Sequence, residues 1–363
     1  MSGLMEQLRQ LSRSAAVWIA LAAAIALTVI GIEAIAVTDA HNTVAFAPRQ
    51  LRWLAIALCA MLFAILPLPR AVGLAAYTLF GICIALLVFV LIPGVPRWLV
   101  PPINGARSWI NLGVMNFQPA EATKVTFILA MAWYLRFRDN YRTLRGLLVP
   151  FAFMIVPVAL LLKQPDMGTA MLFAPALFAV LVAAGAKLRH LSSLIAIGIL
   201  LVAVNVAWIY TMPESLQVLK KHQRDRFISM ISLARGETRF TQTTAYQQHK
   251  AMTLVGAGQT TGFGEARAAT IVRFNALPED HNDMIFPVIV ARWGLVGGVA
   301  TLGLYILLVA SFIAIAARSK DPFARLATVG FAGLLFAQAM INIAMTVGLL
   351  PITGITLPFV SYG

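Results

Sequence analysis

Nine apolar runs, most of them close to the length of a membrane span, dominate this chain: 15–37, 51–68, 71–92, 119–135, 147–163, 168–186, 191–212, 284–316 and 326–350. A helix that crosses the hydrocarbon core of a bilayer needs about 20 predominantly apolar residues. The pattern therefore predicts an all-α, polytopic membrane protein of about nine spans, forming a single membrane domain over 1–363 with a large loop at 213–282. Composition agrees. Hydrophobic residues make up 60% of the chain and charged residues 12%, against roughly 45–50% and about a quarter in soluble domains. The eighth run is long enough to tilt or to project beyond the bilayer. Pro67-Leu68-Pro69 and Gly185 mark tight turns between spans.

The formal charge of +14 would suggest nucleic acid in a soluble protein. Here no aromatic-basic platform or reading helix is visible, so nucleic acid is not an expected partner. Lys and Arg are read instead as loop residues that flank spans and meet lipid headgroups. With the N-terminus inside, the inner loops hold Arg70, then Arg136, Arg138, Arg142 and Arg145, then Lys187 and Arg189, then Arg318, Lys320 and Arg325. The short outer loops hold Arg49, Arg52, Arg97, Arg107 and Lys163. The positive-inside rule then places the N-terminus in the cytoplasm, and the first apolar run reads as a retained span. Cys59 and Cys83 lie in apolar runs without metal-ligand spacing and read as small core residues.

The polar groups that could carry chemistry fall on the outer side. Pro278-Glu279-Asp280-His281-Asn282-Asp283 stands at the mouth of the eighth run. An ionised Asp283 there is costly unless it is paired or used. It is a candidate general base or electrostatic anchor; the plain alternative is a helix cap. No second His completes a zinc shell with His281, and a lone carboxylate with nearby oxygens would favour Mg²⁺ or Mn²⁺. No organic cofactor is expected.

Three further segments add to it. In Phe117-Gln118-Pro119-Ala120-Glu121-Ala122-Thr123-Lys124, Pro119 suits a first helical turn, and Glu121 and Lys124 share a face three residues apart. They form either a self-neutralising pair or the lining of a polar cavity. Arg107 lies just upstream, in Asn104-Gly105-Ala106-Arg107-Ser108-Trp109. In Lys163-Gln164-Pro165-Asp166-Met167-Gly168-Thr169-Ala170, Asp166 or Thr169 can cap the next helix, or the turn can face a substrate. The 213–282 loop holds an amphipathic stretch at 216–233, a polar stretch at 235–244, and Gly256, Gly258, Gly262 and Gly264, whose spacing fits no nucleotide loop. The tail 348–363, with two prolines and interspersed glycines, breaks helix at membrane depth, which is tolerated only in a protein interior or beside a wet cavity.

These segments, in this order, resemble the SEDS family (shape, elongation, division and sporulation), which includes RodA, FtsW and SpoVE. The resemblance rests on Gly-Leu-Leu-Pro-Ile-Thr-Gly-Ile-Thr-Leu-Pro-Phe-Val-Ser-Tyr-Gly at 348–363, on Gln164-Pro165-Asp166 with Gly168-Thr169-Ala170, on Gln118-Pro119 with Glu121 and Lys124, and on Pro278-Glu279 with His281 and Asp283. It implies a ten-span peptidoglycan glycosyltransferase that polymerises lipid II at the outer face of the bacterial inner membrane, beside a class B penicillin-binding protein that supplies the transpeptidase. By the same resemblance Asp283 matches the essential aspartate, and Glu121 and Lys124 match a polar pair of the fourth helix. Arg107, Gln164, Asp166, His281 and Ser361 fall at motif positions expected to bind substrate. The motif wording leans towards the elongation type.

The chain departs from the family pattern in three places. Asn282 stands where Thr is usual, and Ala291-Arg292-Trp293 stands where two acidic residues are usual. By the same resemblance, the sequence up to Gly363 is expected to stop short of a tenth span. The change to Arg292 is expected to alter the charge beside the inherited site, which keeps a non-catalytic scaffold as an alternative. A lipid-substrate flippase is another, since intramembrane charge and broken backbone also mark transporters.

Overall fold

The computed structural model describes residues 14–40, 45–103, 106–113, 115–211, 221–236 and 245–362. Asn104, Gly105 and most of the polar stretch at 235–244 lie outside the described residues, as does the start of the amphipathic stretch. Among the described residues, twelve α-helices carry the fold: α1 Ala15–Asp39, α2 Ala47–Ile65, α3 Pro69–Leu91, α4 Pro119–Leu135, α5 Leu148–Lys163, α6 Met167–Ala184, α7 Leu188–Thr211, α8 Lys221–Ala234, α9 Tyr246–Ala257, α10 Gly264–Asn275, α11 Ile285–Arg318 and α12 Pro322–Thr346. Among the described residues, eight helical segments are long and apolar enough to cross a membrane. The 119–135 run, also expected to span, is the 17-residue α4, at the short end for a crossing helix. The chain is an all-α, multi-pass membrane protein.

Two compact units emerge. The first comprises Cys59–Leu191 and Leu308–Ala337, with the start of α1. Its centre is α4, most of whose residues are buried. Phe127 of α4 meets Phe80 of α3 and Phe173 of α6 at ring distances of 6.2 and 5.1 Å. Small residues let these helices approach closely: a Cβ on Gly73 would overlap the Trp133 ring, and one on Gly330 would overlap Ile128 and Val180. The 93–118 loop carries a hairpin that no periodicity announced, β1 Ile110–Asn111 with β2 Asn116–Phe117, paired Ile110 to Phe117. Asn111 Oδ1 accepts from the Gly113 N–H at 2.8 Å to close its turn.

The second unit comprises Leu21–Leu58, Ser192–Leu307 and Gln338–Gly363. The long loop is no plain solvated connection. It contains α8, α9 and α10, and two of its glycines, Gly258 and Gly262, pack closely against the backbone of α11. Gly294 (φ 68°) breaks α11 nine residues after its start, so the long eighth run is accommodated by a break where tilting was one expectation. The loop backbone closes the break. Phe263 N–H donates to Ala291 C=O at 2.9 Å, and Leu295 N–H donates to Gln259 C=O at 2.8 Å. A Cβ on Gly262 or Gly294 would overlap the opposite strand of backbone. That explains glycine at both positions.

Cys83 is buried as expected, but Cys59 is exposed on α2, which buries none of its residues. An apolar helix left uncovered by protein suits contact with membrane lipid.

Candidate functional site

In the first unit, the sequence around Pro119 does what its chemistry suggests. Pro119 opens α4 after the N-cap position Gln118, where a missing N–H costs nothing. One turn later Lys124 Nζ lies 2.9 Å from Glu121 Oε1. The lysine side chain is 5% exposed and the glutamate 55%, so a nearly buried cation is held by a carboxylate that reaches solvent or headgroups. Asp166 is the N-cap of α6: its Oδ1 accepts from Thr169 N–H at 3.0 Å, and its Oδ2 accepts from Gln118 Nε2 at 3.4 Å. Burial pushes the Asp166 carboxyl above the usual carboxylate range; the Thr169 hydrogen bonds oppose the shift, Glu121 adds to it and Lys124 reduces it. Gln118, Glu121, Lys124 and Asp166 thus form one polar group in this unit.

Gln164 and Arg107 are occupied with backbone. Gln164 is buried, and its Nε2 donates to Leu87 C=O at 3.0 Å. Arg107 donates through Nη2 to Val95 C=O at 2.8 Å and through Nη1 to the Ile92 and Pro93 carbonyls at 3.3 Å. The guanidinium satisfies carbonyls released at the end of α3.

In the second unit, Asp283 stands two residues before α11 and is 6% exposed. The turn before it wraps on one carbonyl: Asn282 N–H and Met284 N–H both donate to Glu279 C=O, at 3.0 and 3.1 Å. Glu279 takes φ 55° to allow this. Asp283 Oδ1 is buried without a hydrogen-bond partner, so this oxygen does not cap the helix it precedes. Burial raises the carboxyl from its ordinary value to about 7; the Glu279 charge adds to the shift, and the backbone N–H of Asp283 and the charges of Arg226 and His281 work against it. The result is an acid poised near neutrality, the condition for a general base.

The tail supplies the wall of this site. Residues 351–357 are not helical, yet Ile355, Leu357 and Val360 are buried. Side chains take up the carbonyls this conformation frees. Asn342 Nδ2 donates to Ile355 C=O at 2.6 Å and to Asp283 C=O at 2.7 Å. Gln338 donates to Thr356 C=O at 3.1 Å, and the Tyr305 hydroxyl donates to Pro358 C=O. Ser361 Oγ accepts from Leu357 N–H at 2.8 Å, closing the last turn of the tail. His281 stacks on Phe46 with ring centroids 4.1 Å apart, and its carbonyl accepts from Tyr362 N–H at 2.9 Å. A Cβ on Gly354 would come to 3.9 Å from Asp283 Oδ2. Gly354 takes φ 74°, which favours glycine.

Sequence reasoning missed two residues of this site. Asn342 is fully buried in an apolar helix, and a lone Asn in a membrane run was the available signal. Gln248, also buried, donates to Met345 C=O at 3.1 Å and Leu350 C=O at 2.8 Å, capping the end of α12 from the long loop. Its Tyr246-Gln247-Gln248 context gave no hint of burial. Among the described residues, no group of three or more His, Cys, Asp or Glu could hold a metal ion.

Residues 11–363 match the FtsW/RodA/SpoVE family model, described as a cell cycle protein. The chain is 34% identical over 286 residues to a probable peptidoglycan glycosyltransferase FtsW of Xanthomonas oryzae pv. oryzae, a match covering 77% of this chain and 54% of that protein. It is 32% identical over 293 residues to the peptidoglycan glycosyltransferase MrdB of Escherichia coli K12, covering 80% and 73%. The chain thus spans about half the length of the first relative and nearly three quarters of the second. Among solved structures, a chain of a peptidoglycan synthase complex that coordinates polymerization and crosslinking superposes with a TM-score of 0.76, at 28% identity, covering 95% of this chain and 91% of that one. The rod shape determining protein RodA of Thermus thermophilus superposes with 0.64, also at 28%, covering 95% and 90%.

Proposed function

The chain belongs to the FtsW/RodA/SpoVE family of cell cycle proteins, and on that premise we propose that it is a glycosyltransferase that polymerises lipid II into glycan strands. The observation that carries the reading is Asp283, a buried carboxyl with one unpartnered oxygen, brought to about 7 at the start of a membrane helix. Peptidoglycan glycosyltransferase is the name borne by the curated relatives. The reaction joins a sugar 4-hydroxyl to an anomeric carbon that carries a lipid diphosphate. Asp283 accepts the hydroxyl proton as the new bond forms; the carbon–oxygen bond to the diphosphate breaks, and the α-linked donor becomes a β-linked glycan. Glu121 and Lys124 form a separate polar group, in the first unit. Lys124 supplies positive charge, and Asp166, which accepts from Gln118, lies within its electrostatic reach. Arg107, Gln164, His281 and Ser361 shape the substrate-facing loops through the bonds described above.

In the alternative to the base role, Asp283 would offer its unpartnered Oδ1 to a Mg²⁺ or Mn²⁺ ion. Such an ion supplies charge neutralisation for the departing diphosphate. The site faces the outer side of the bacterial inner membrane, with the N-terminus in the cytoplasm, and the chain works with a class B penicillin-binding protein as its transpeptidase. The structural likeness to a chain of a peptidoglycan synthase complex supports that pairing.

The test is glycan synthesis from purified lipid II by the full chain with its class B partner, wild type beside Asp283→Asn. Polymer from the wild type alone is expected. Equal polymer from both would remove Asp283 from the chemistry. Intact partner binding without polymer from either would favour a scaffold.

A further inference from the structure

Arg292, which stands where the resemblance leads one to expect acidic residues, is buried. Its side chain is 10% exposed. The guanidinium forks between two acids: Nη2 lies 2.6 Å from Glu33 Oε2 and 3.1 Å from Glu265 Oε2. Nη1 donates to the backbone carbonyl of Glu33 in α1 at 2.5 Å. The acids come from α1 and from the first turn of α10. The altered charge expected at Arg292 is therefore met by acidic partners on neighbouring elements.

Its position gives this cluster a consequence for Asp283. Gly294 interrupts α11 two residues after Arg292. Asp283 stands on the short side of the break, so the long remainder of α11 does not by itself set the orientation of Ile285–Trp293. Asn342 holds one end of that segment through the Asp283 carbonyl. At the other end, the loop bonds to Ala291 C=O and Leu295 N–H close the backbone, and Arg292 supplies the side-chain anchor. That anchor is α1, which meets the tail two residues before Glu33: a Cβ on Gly31 would overlap the Val360 carbonyl. One helix thus references both the Asp283 segment and the tail that walls the carboxylate.

We infer that Arg292, Glu33 and Glu265 form a charge clamp that positions the Asp283 segment, with the cation on α11 and the acids on α1 and α10. The inference rests on the functional reading given above. Arg292 is a positioning residue and acts through the helix segment. A planar fork that satisfies a carboxylate and a carbonyl together is what arginine provides and lysine does not. Reversing the charge at Arg292 would set three carboxylates together, one of them at a buried position, and exchanging the charges between α11 and α1 would rebuild the central pair.

The experiment compares lipid II polymerisation by the full chain with its class B partner for the wild type, Arg292→Glu, Glu33→Arg and the double exchange. Each single variant is expected to lose about ten-fold or more in kcat with KM within about two-fold, because a displaced base misaligns the reacting atoms and leaves ground-state binding largely intact. The double exchange is expected to recover most of that loss. Wild-type kcat in Arg292→Glu, or a loss that the exchange does not reduce, would overturn the clamp. Should charge reversal prevent folding, Arg292→Lys keeps the charge without the fork. It is expected to lower kcat roughly three-fold at an unchanged melting temperature, and an unchanged kcat would overturn the positioning role. A wild-type chain that makes no polymer would overturn the functional reading, and the positioning role with it; polymer from the wild type with no effect of the variants overturns the clamp alone.

Discussion

Asp166 and Asp283 make an instructive pair. Both are largely buried acids, both stand one or two residues before a membrane helix, and burial raises both. Asp166 spends its oxygens on structure: one takes the Thr169 N–H at the start of α6 and the other faces Gln118. Asp283 leaves Oδ1 without a partner, and the neighbouring Glu279 charge raises it further. The same residue type in the same local position is a cap in one unit and a poised acid in the other. A carboxylate whose lone pairs are filled by N–H donors stabilises a fold. One that is desolvated and left open lowers stability when ionised, and that is retained where chemistry uses it.

The largest expected effect separates the two directly. Asp283→Asn should lower polymerisation about 10²–10⁴-fold, the range for loss of a general base, measured as glycan product from lipid II. Asp166→Asn keeps a good capping side chain, and its rate should stay within about ten-fold of wild type. Comparable losses in both variants would erase the distinction.

The pH dependence sharpens it. Asp283 must be ionised to accept a proton, so the rate should rise with pH up to about 7 and level off above, falling about ten-fold per unit below that point. Stability should run the other way. The folded value of Asp283 lies above its ordinary 3.8, so the unfolded chain loses this proton first as pH rises, and the folded chain is penalised across the window from 3.8 to about 7. At pH 8 Asp283→Asn should therefore melt above the wild type, with the gap closing towards pH 5. A gap of the opposite sign would show that the ionised carboxylate is satisfied in the fold.

Asn342→Leu keeps volume but removes the donor shared by the Asp283 and Ile355 carbonyls. It should reduce the rate about ten-fold by loosening the base and cost roughly 1–3 kcal/mol for each carbonyl left buried and unpaired, read by thermal unfolding beside the polymerisation assay. Among the smallest expected effects, Asp166→Ala removes a helix cap worth about 1 kcal/mol, seen as a modest drop in melting temperature. Ser361→Ala should act similarly by freeing the Leu357 N–H.

The helices were legible because their signals are local. Apolar run length marked the spans, Pro119 opened α4, Asp166 capped α6, and Gly185 closes α6 with φ 96°. The Glu121–Lys124 pair followed from a three-residue helical spacing. The long loop was less legible. Its glycines suit tight turns or close backbone approach, but the partner was hidden: Gly262 and Gly294 meet across the break in α11, a pairing of positions more than thirty residues apart that no periodicity reveals. Arg292 read as a disturbance for the same reason, since its partners Glu33 and Glu265 lie on other elements.

What the sequence by itself determined is the solvent and the alphabet: a chain this apolar must place its backbone in helices across lipid, and its few charges must gather where desolvation is offset or exploited. The tertiary structure alone decided which charges are satisfied. Whether a buried carboxylate is a cap, an ion-pair partner or an open base depends on which donors the rest of the chain brings to its oxygens. Asp166 has a local donor in Thr169 and a distant one in Gln118, whereas Asp283 was left one oxygen short.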